Sequence, residues 1–360
     1  MNFRHNNLFN ISSRYWIYLF ILLILVVFTS RLMLSSHPFY YTKYMHLGYI
    51  SSAENLFTIK PSPFSWRILQ PFLVNLIPLD LKTSFFLLSF SALYFTSILV
   101  YKITLYQVKD VNLAFMGAVF FISIVWAVRF NIIEFWYPES LLYFFIVLAI
   151  YAIHKNNKIL LATSLIFGVL TKETMISIFP LYYSIKVGNN LFKKFEKKIF
   201  VEMIIISLPA IAAITFLIVF ITKDSVYSYA ADWFNQVFVH RLSTLIGIKN
   251  SLKHNVIESQ PWFLTISINW YRLSLGAFVG FFILTFLKWK ETRHLIKEYA
   301  PLLIFSYLQL FIAYDIERLI VISFLPLILL TVSSISKLIK KNFLDIKYFW
   351  IYTILHICPK

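Results

Sequence analysis

Apolar residues run along this chain in long stretches, separated by short charged or proline-bearing segments. A helix needs roughly 20 apolar residues to cross the hydrocarbon core of a bilayer. Runs approaching that length fall at 15–36, 83–104, 113–130, 139–154, 159–171, 174–187, 201–222, 268–287, 300–314 and 318–336. The pattern predicts an all-α, polytopic membrane protein of about ten transmembrane helices. No polar stretch is long enough to fold separately, so residues 1–360 read as a single transmembrane domain. The run from Tyr15 to Ser30 follows Arg4 and Arg14 and lacks a small-x-small cleavage site, which marks an uncleaved first span.

The polar positions set the threading. Residues 159–187 contain Lys172-Glu173 in the middle, and Lys186–Lys198 (KVGNNLFKKFEKK) is the most basic stretch of the chain. Basic loops stay cytoplasmic. The stretch therefore folds as a hairpin of two short spans with Lys172-Glu173 at its outer tip. The same reasoning folds 113–154 around RFNIIEFWYPES and 300–336 around YDIERL. With the N-terminus cytoplasmic, about 20 of the 33 Lys and Arg lie inside and about 13 outside. Two larger outer loops remain, 35–82 and 223–266. In the first, WRILQPFLVNLIP reads as a helix lying in the membrane interface. Residues 337–360 form a cytoplasmic tail, in which Ile346–Ile357 is too short to cross and also reads as interfacial.

Composition strengthens this picture. The chain is 59% apolar, with a mean hydropathy of +0.74. Its net charge of +17 follows from basic cytoplasmic loops, so nucleic acid is not an expected partner. One cysteine, Cys358, excludes a disulfide framework and a cysteine metal site. Seven glycines exclude glycine-zipper packing as a theme. No GxxxxGKS, GxGxxG or GxSxG occurs.

Ionisable residues within apolar spans cost roughly 2.5–3.5 kcal/mol on insertion scales and are functional candidates for that reason. The three hairpin tips carry Arg129, Glu134 and Glu139; Lys172 and Glu173; and Asp315, Glu317 and Arg318. Each tip holds both signs, as ion pairs between helices would also require. In the first loop, Arg67 stands at the start of the interfacial helix, where a guanidinium suits bidentate phosphate binding or simply snorkels. Glu54 is the carboxylate nearest to it in sequence and could serve as a general base. His240 and Arg241 in the second loop suit an anionic sugar or phosphate, and Trp233 offers a ring for stacking on a sugar. His37, His46, His240 and His254 lack zinc-ligand spacing. No motif demands a cofactor or metal, although the outer carboxylates are groups a divalent ion would use.

Four local features carry a resemblance. The first loop reads Tyr49…Glu54…PFSWRILQP; the middle tip reads FWYPESLLYFFIVLA with Glu139; the next reads GVLTKETMISIFP with Lys172-Glu173; and the last reads DIERLIVISFLPLILL with Glu317-Arg318. Together they resemble the bacterial GT-C class of multi-span glycosyltransferases. That resemblance implies a polyprenyl-phosphate-linked sugar donor, an acceptor that is a glycan, lipid or protein, and a site facing the periplasm from the inner membrane. On that resemblance Arg67, Lys172 and Arg318 would bind the donor phosphate, with Glu134, Glu173, Asp315 and Glu317 in support; Glu54 or Glu139 would stand in as the catalytic base, and His240, Arg241 and Trp233 of the second loop are the candidate acceptor contacts. The chain departs from the class in one respect: HPFYYTKYMHLG, before Tyr49, has no carboxylate where members place their base. Two other readings fit the same pattern, a surface-polysaccharide (O-antigen) polymerase and a transporter of lipid-linked sugar or solute. A transporter would be expected to show internal repeats and broken midplane helices.

Overall fold

The structure, a computed structural model, describes residues 13–36, 43–56, 67–188, 191, 195–217, 289–308 and 321–340. Every element among them is helical. They are α1 (Ser13–Ser36), α2 (Lys43–Glu54), α3 (Leu69–Leu76), α4 (Leu81–Val108), α5 (Val111–Ser123), α6 (Phe130–Ile133), α7 (Glu139–Lys155), α8 (Lys158–Thr171), α9 (Ile178–Val187), α10 (Lys197–Phe216), α11 (Trp289–Leu308) and α12 (Phe324–Lys340). A π-helical turn, Val125–Arg129, leads into α6, and a 3-10 turn, Glu173–Ser177, leads into α9.

Two tight connections share one construction. Lys109 (φ 58°) ends α4 in the left-handed conformation, and Asp110 then accepts from the Leu113 N–H at 3.0 Å to start α5. Asn156 (φ 55°) ends α7 the same way, and Asn157 accepts from the Leu160 N–H at 2.9 Å to start α8. In each, a left-handed residue closes one helix and a side-chain oxygen caps the next. At its other end α4 begins on Asp80, which accepts from the Thr83 N–H at 3.0 Å.

The core forms where α4 packs against both α5 and α7, with α12 covering α4 and α5. Leu93, Val100, Ala114, Phe121, Leu142, Ile146, Phe324 and Ile328 are buried there. Gly117 lets α5 approach α4 closely, since a Cβ on it would stand 2.8 Å from Thr104 Oγ1. α8 packs against α7 and α10, and α9 against α10 and α11. A second, smaller apolar cluster of Tyr49, Ala53, Val74, Phe85, Phe135, Trp136 and Tyr137 joins α2 and α3 to the segment before α7.

Among the described residues, α4 and α10 are long and apolar enough to cross a membrane, and α5 with the turn leading through α6 adds a third if that pair is counted as one span bent by 61°. The sequence pattern predicts about ten, and the difference has physical causes. The stretches 139–154, 159–171 and 174–187 become helices of 17, 14 and 10 residues. At a rise of ~1.5 Å per residue they reach ~25, ~21 and ~15 Å, short of a hydrocarbon core of ~30 Å. α11 has 20 residues but includes Lys290, Glu291, Arg293, Lys297 and Glu298. The break in 113–130 is held by Asn131, whose side chain donates to Ala127 O at 2.8 Å and whose backbone oxygen accepts from Ser89 Oγ at 3.0 Å. The first loop contains α2, which the hydropathy pattern does not reveal, and its interfacial helix is the shorter α3. The expected span 268–287, the second outer loop and the tail beyond Lys340 lie outside the described residues. On α10, Ile204, Ile205, Leu208 and Ile211 are exposed along one side, an apolar face of the kind that meets lipid or another protein.

Candidate functional site: a chain of alternating charges at one end of the bundle

α8 stops at Thr171 because Lys172 turns extended (φ −161°, ψ 135°), although its N–H still donates to Gly168 O at 2.9 Å. In extended backbone, neighbouring side chains leave in opposite directions. Lys172 reaches α7, where its Nζ donates to Glu139 Oε1 at 2.6 Å. Glu173 reaches the segment before α3, where Arg67 grips its carboxylate with a two-pronged contact. Arg67 Nε donates to Glu173 Oε2 at 3.0 Å and Nη2 donates to Oε1. Arg67 Nη1 also donates to the Tyr49 hydroxyl at 3.2 Å. The result is one line, Tyr49–Arg67–Glu173–Lys172–Glu139, with two cations alternating with two carboxylates.

Local sequence explains each placement. Glu139 is the first residue of α7, where the helix dipole favours a carboxylate, and Lys172 sits at the C-terminal end of α8, where it favours a cation. Glu139 is only 3% exposed, and its ion pair with Lys172 offsets the cost of burying a charge there. Tyr49 is buried against Tyr137, ring centroids 6.2 Å apart. Gln70 fastens α3 below, with Nε2 donating to Tyr137 O at 3.1 Å and more weakly to Phe135 O at 3.4 Å.

Burial pushes the Glu173 carboxyl up, but the Arg67 guanidinium, its hydrogen bonds and Lys172 outweigh that and bring it down to about 2. Because its folded value lies below the ordinary 4.5, the pair stabilises the fold fully above that range. This contribution is lost as pH falls from about 4.5 toward 2. The difference in thermal midpoint between wild type and Glu173→Gln is therefore expected to be constant near neutrality and to shrink below pH 4.5. Burial raises the Tyr49 phenol to about 12, only partly opposed by Arg67, so it remains protonated at neutral pH.

Gly168 makes room for the turn. A Cβ there would lie 2.5 Å from Met175 Cγ and 2.7 Å from its sulfur, and Met175 is fully buried. Gly168→Ala is expected to lower stability by ~1–3 kcal/mol through overpacking, despite alanine's better helix propensity. In a Met175→Ala background the same substitution should add little, which paired thermal melts would test.

Of the residues singled out from sequence, the structure brings together Arg67, Lys172, Glu173 and Glu139. Glu54 ends α2 on its exposed side, five positions from the inward-facing Tyr49. Glu134 is buried in the turn after α6, its N–H donating to Phe130 O at 2.7 Å, and Arg129 lies half-buried at the end of the π-helical turn. Asp315, Glu317, Arg318, Trp233, His240 and Arg241 lie outside the described residues. Sequence reasoning missed Gln70 as a fastener. Its signal was a buried-face amide one turn after Arg67 in a largely apolar helix. No family of known proteins matches this chain by sequence, and no curated protein is significantly similar to it.

Proposed function

We propose that this protein is a membrane glycosyltransferase of the inner membrane of a bacterium. It moves a sugar from a polyprenyl-phosphate donor to a glycan, lipid or protein acceptor on the outer side. The observation that carries the reading is a line of two cations at one end of an apolar helical bundle, Arg67 held by Glu173 and Lys172 held by the nearly fully buried Glu139.

The chemistry needs two things from such a site. The bond between the anomeric carbon and the phosphate oxygen breaks with its electron pair on the phosphate, and that charge needs cations. The attacking acceptor hydroxyl must give up its proton to a base. Arg67 and Lys172 are cations of the required kind, and both are held by carboxylates until an anion competes for them. A donor phosphate that draws Lys172 away would leave the Glu139 carboxylate able to take the acceptor's proton. Glu54, exposed on α2, is the alternative base.

The test is transfer of label from a radiolabelled polyprenyl-phosphate hexose to outer-surface glycan by the purified protein. Folded Glu139→Gln is expected to lose roughly 10²–10⁴-fold in rate, the usual contribution of a general base. Full activity in both Glu139→Gln and Glu54→Gln would remove the carboxylate role. A wild type that accepts no monosaccharide donor would refute the reading. Shortened surface polymer in a knockout would then favour a polymerase.

A further inference from the structure

α7 runs from Glu139 to Lys155, 17 residues, so its far end lies ~25 Å from the charged line just described. From Glu139 to Ile153 it is buried except at three positions, Phe144, Leu148 and Tyr151, which form one outward stripe at helical spacing. The neighbouring α4 has a matching outward stripe that includes Phe95, Lys102 and Tyr106. The stripes meet along their length. Phe95, 51% exposed, lies 6.4 Å from Phe144 between ring centroids, and a turn or two further on the seam changes from apolar to basic.

At that end two ammonium groups converge on one ring. Lys102 Nζ lies 6.0 Å and Lys155 Nζ 5.8 Å from the Tyr151 centroid, and Lys155 is also 6.0 Å from the Tyr106 ring. Both are within the range of cation–π attraction. Neither forms an ion pair with a carboxylate among the described residues. Nearby cations are treated differently: Lys158 is paired with Glu202, and Lys186 donates to Asn156 Oδ1 at 2.8 Å. His154 has its Nε2 3.0 Å from the Tyr299 hydroxyl. The dipole at the C-terminus of α7 accounts for a cation at Lys155. It does not account for Lys102, six residues before the end of α4, or for both lysines sharing one ring.

We propose that this seam binds an anionic glycerophospholipid. Its phosphodiester sits between Lys102 and Lys155 against Tyr151, and its acyl chains lie along Phe95, Phe144 and Leu148. Charge complementarity selects the occupant: two unanswered cations call for an anion, and the apolar groove directly beside them calls for one with tails. A zwitterionic headgroup answers the charge less well because its own ammonium is repelled. The proposal is independent of glycosyl transfer.

The experiment is lipid retention by the full-length protein in detergent, read by native mass spectrometry after equilibration with equal phosphatidylglycerol and phosphatidylcholine. Wild type is expected to retain phosphatidylglycerol preferentially. Lys102→Gln/Lys155→Gln should weaken that retention about 30-fold, from two surface cations, while Lys102→Arg/Lys155→Arg should keep it. Equal retention of the two lipids by wild type would overturn the proposal, and this arm needs no variant to fold. Displacement of the lipid by millimolar inorganic phosphate would also overturn it, in favour of a soluble-phosphate site.

Discussion

Lys172→Met is expected to destabilise the protein by roughly 3–5 kcal/mol, the cost of breaking a buried pair from one side. The substitution leaves Glu139, 3% exposed, without the cation that donates to it at 2.6 Å. The buried carboxylate then loses the ion pair that offsets its desolvation. Lys172→Met/Glu139→Leu removes both charges and should recover most of the loss, since well-packed apolar replacements of buried pairs are often neutral. Thermal midpoints and denaturant titrations of the two singles and the double in detergent would check this. A Lys172→Met protein as stable as wild type would mean that the contact bears no charge in solution.

The second large effect concerns Arg67. Its guanidinium makes a two-pronged contact with Glu173 and also holds the Tyr49 hydroxyl, so it ties α2 and the entry to α3 to the α8 tip. Arg67→Ala is expected to cost roughly 2–4 kcal/mol, combining a lost charge-assisted fork with a stranded carboxylate. Arg67→Lys should recover only part, because an ammonium cannot reproduce the planar fork. Local readouts should respond before global ones. Hydrogen exchange in α2 and α3 should accelerate in Arg67→Ala while α4 and α7 stay protected. A cycle with Glu173→Gln should give a coupling above 1 kcal/mol, as expected for residues in one ion-pair network. Additive single effects would show that the loop is fastened elsewhere, with Gln70 the first alternative.

The sequence made some of this visible for a simple reason. Charges are costly inside apolar stretches, so Lys172, Glu173 and Glu139 stand out without any knowledge of their partners. The break at Lys172-Glu173 was equally visible, since a pair of charges interrupts an apolar run there. Which carboxylate meets which cation was not visible. The pair Arg67–Glu173 spans 106 residues and Lys172–Glu139 spans 33, and local pattern carries no information about such contacts. Glu54 looked close to Arg67 because it is close in sequence, yet helical rotation carries it to the outer side of α2 while Tyr49 faces in. Among the described residues, hydropathy also overstated the spans. It registers that a segment is apolar but not that a packed interior makes the same demand, and α7 is apolar largely because most of its positions are buried against other helices.

The divergence of Lys172 and Glu173 into opposite directions makes their order informative. Exchanging the two residues changes neither composition nor net charge, but it would set a carboxylate against Glu139 and an ammonium against Arg67, converting two attractions into two repulsions. Reversing Arg67 and Glu139 as well would restore opposite signs in both pairs, but would lose the Arg67 fork and its contact to Tyr49 and set the charges against their helix dipoles. The four positions therefore act as one unit with a set polarity, since Glu139 at the start of α7 and Lys172 at the end of α8 also suit the dipoles of their helices.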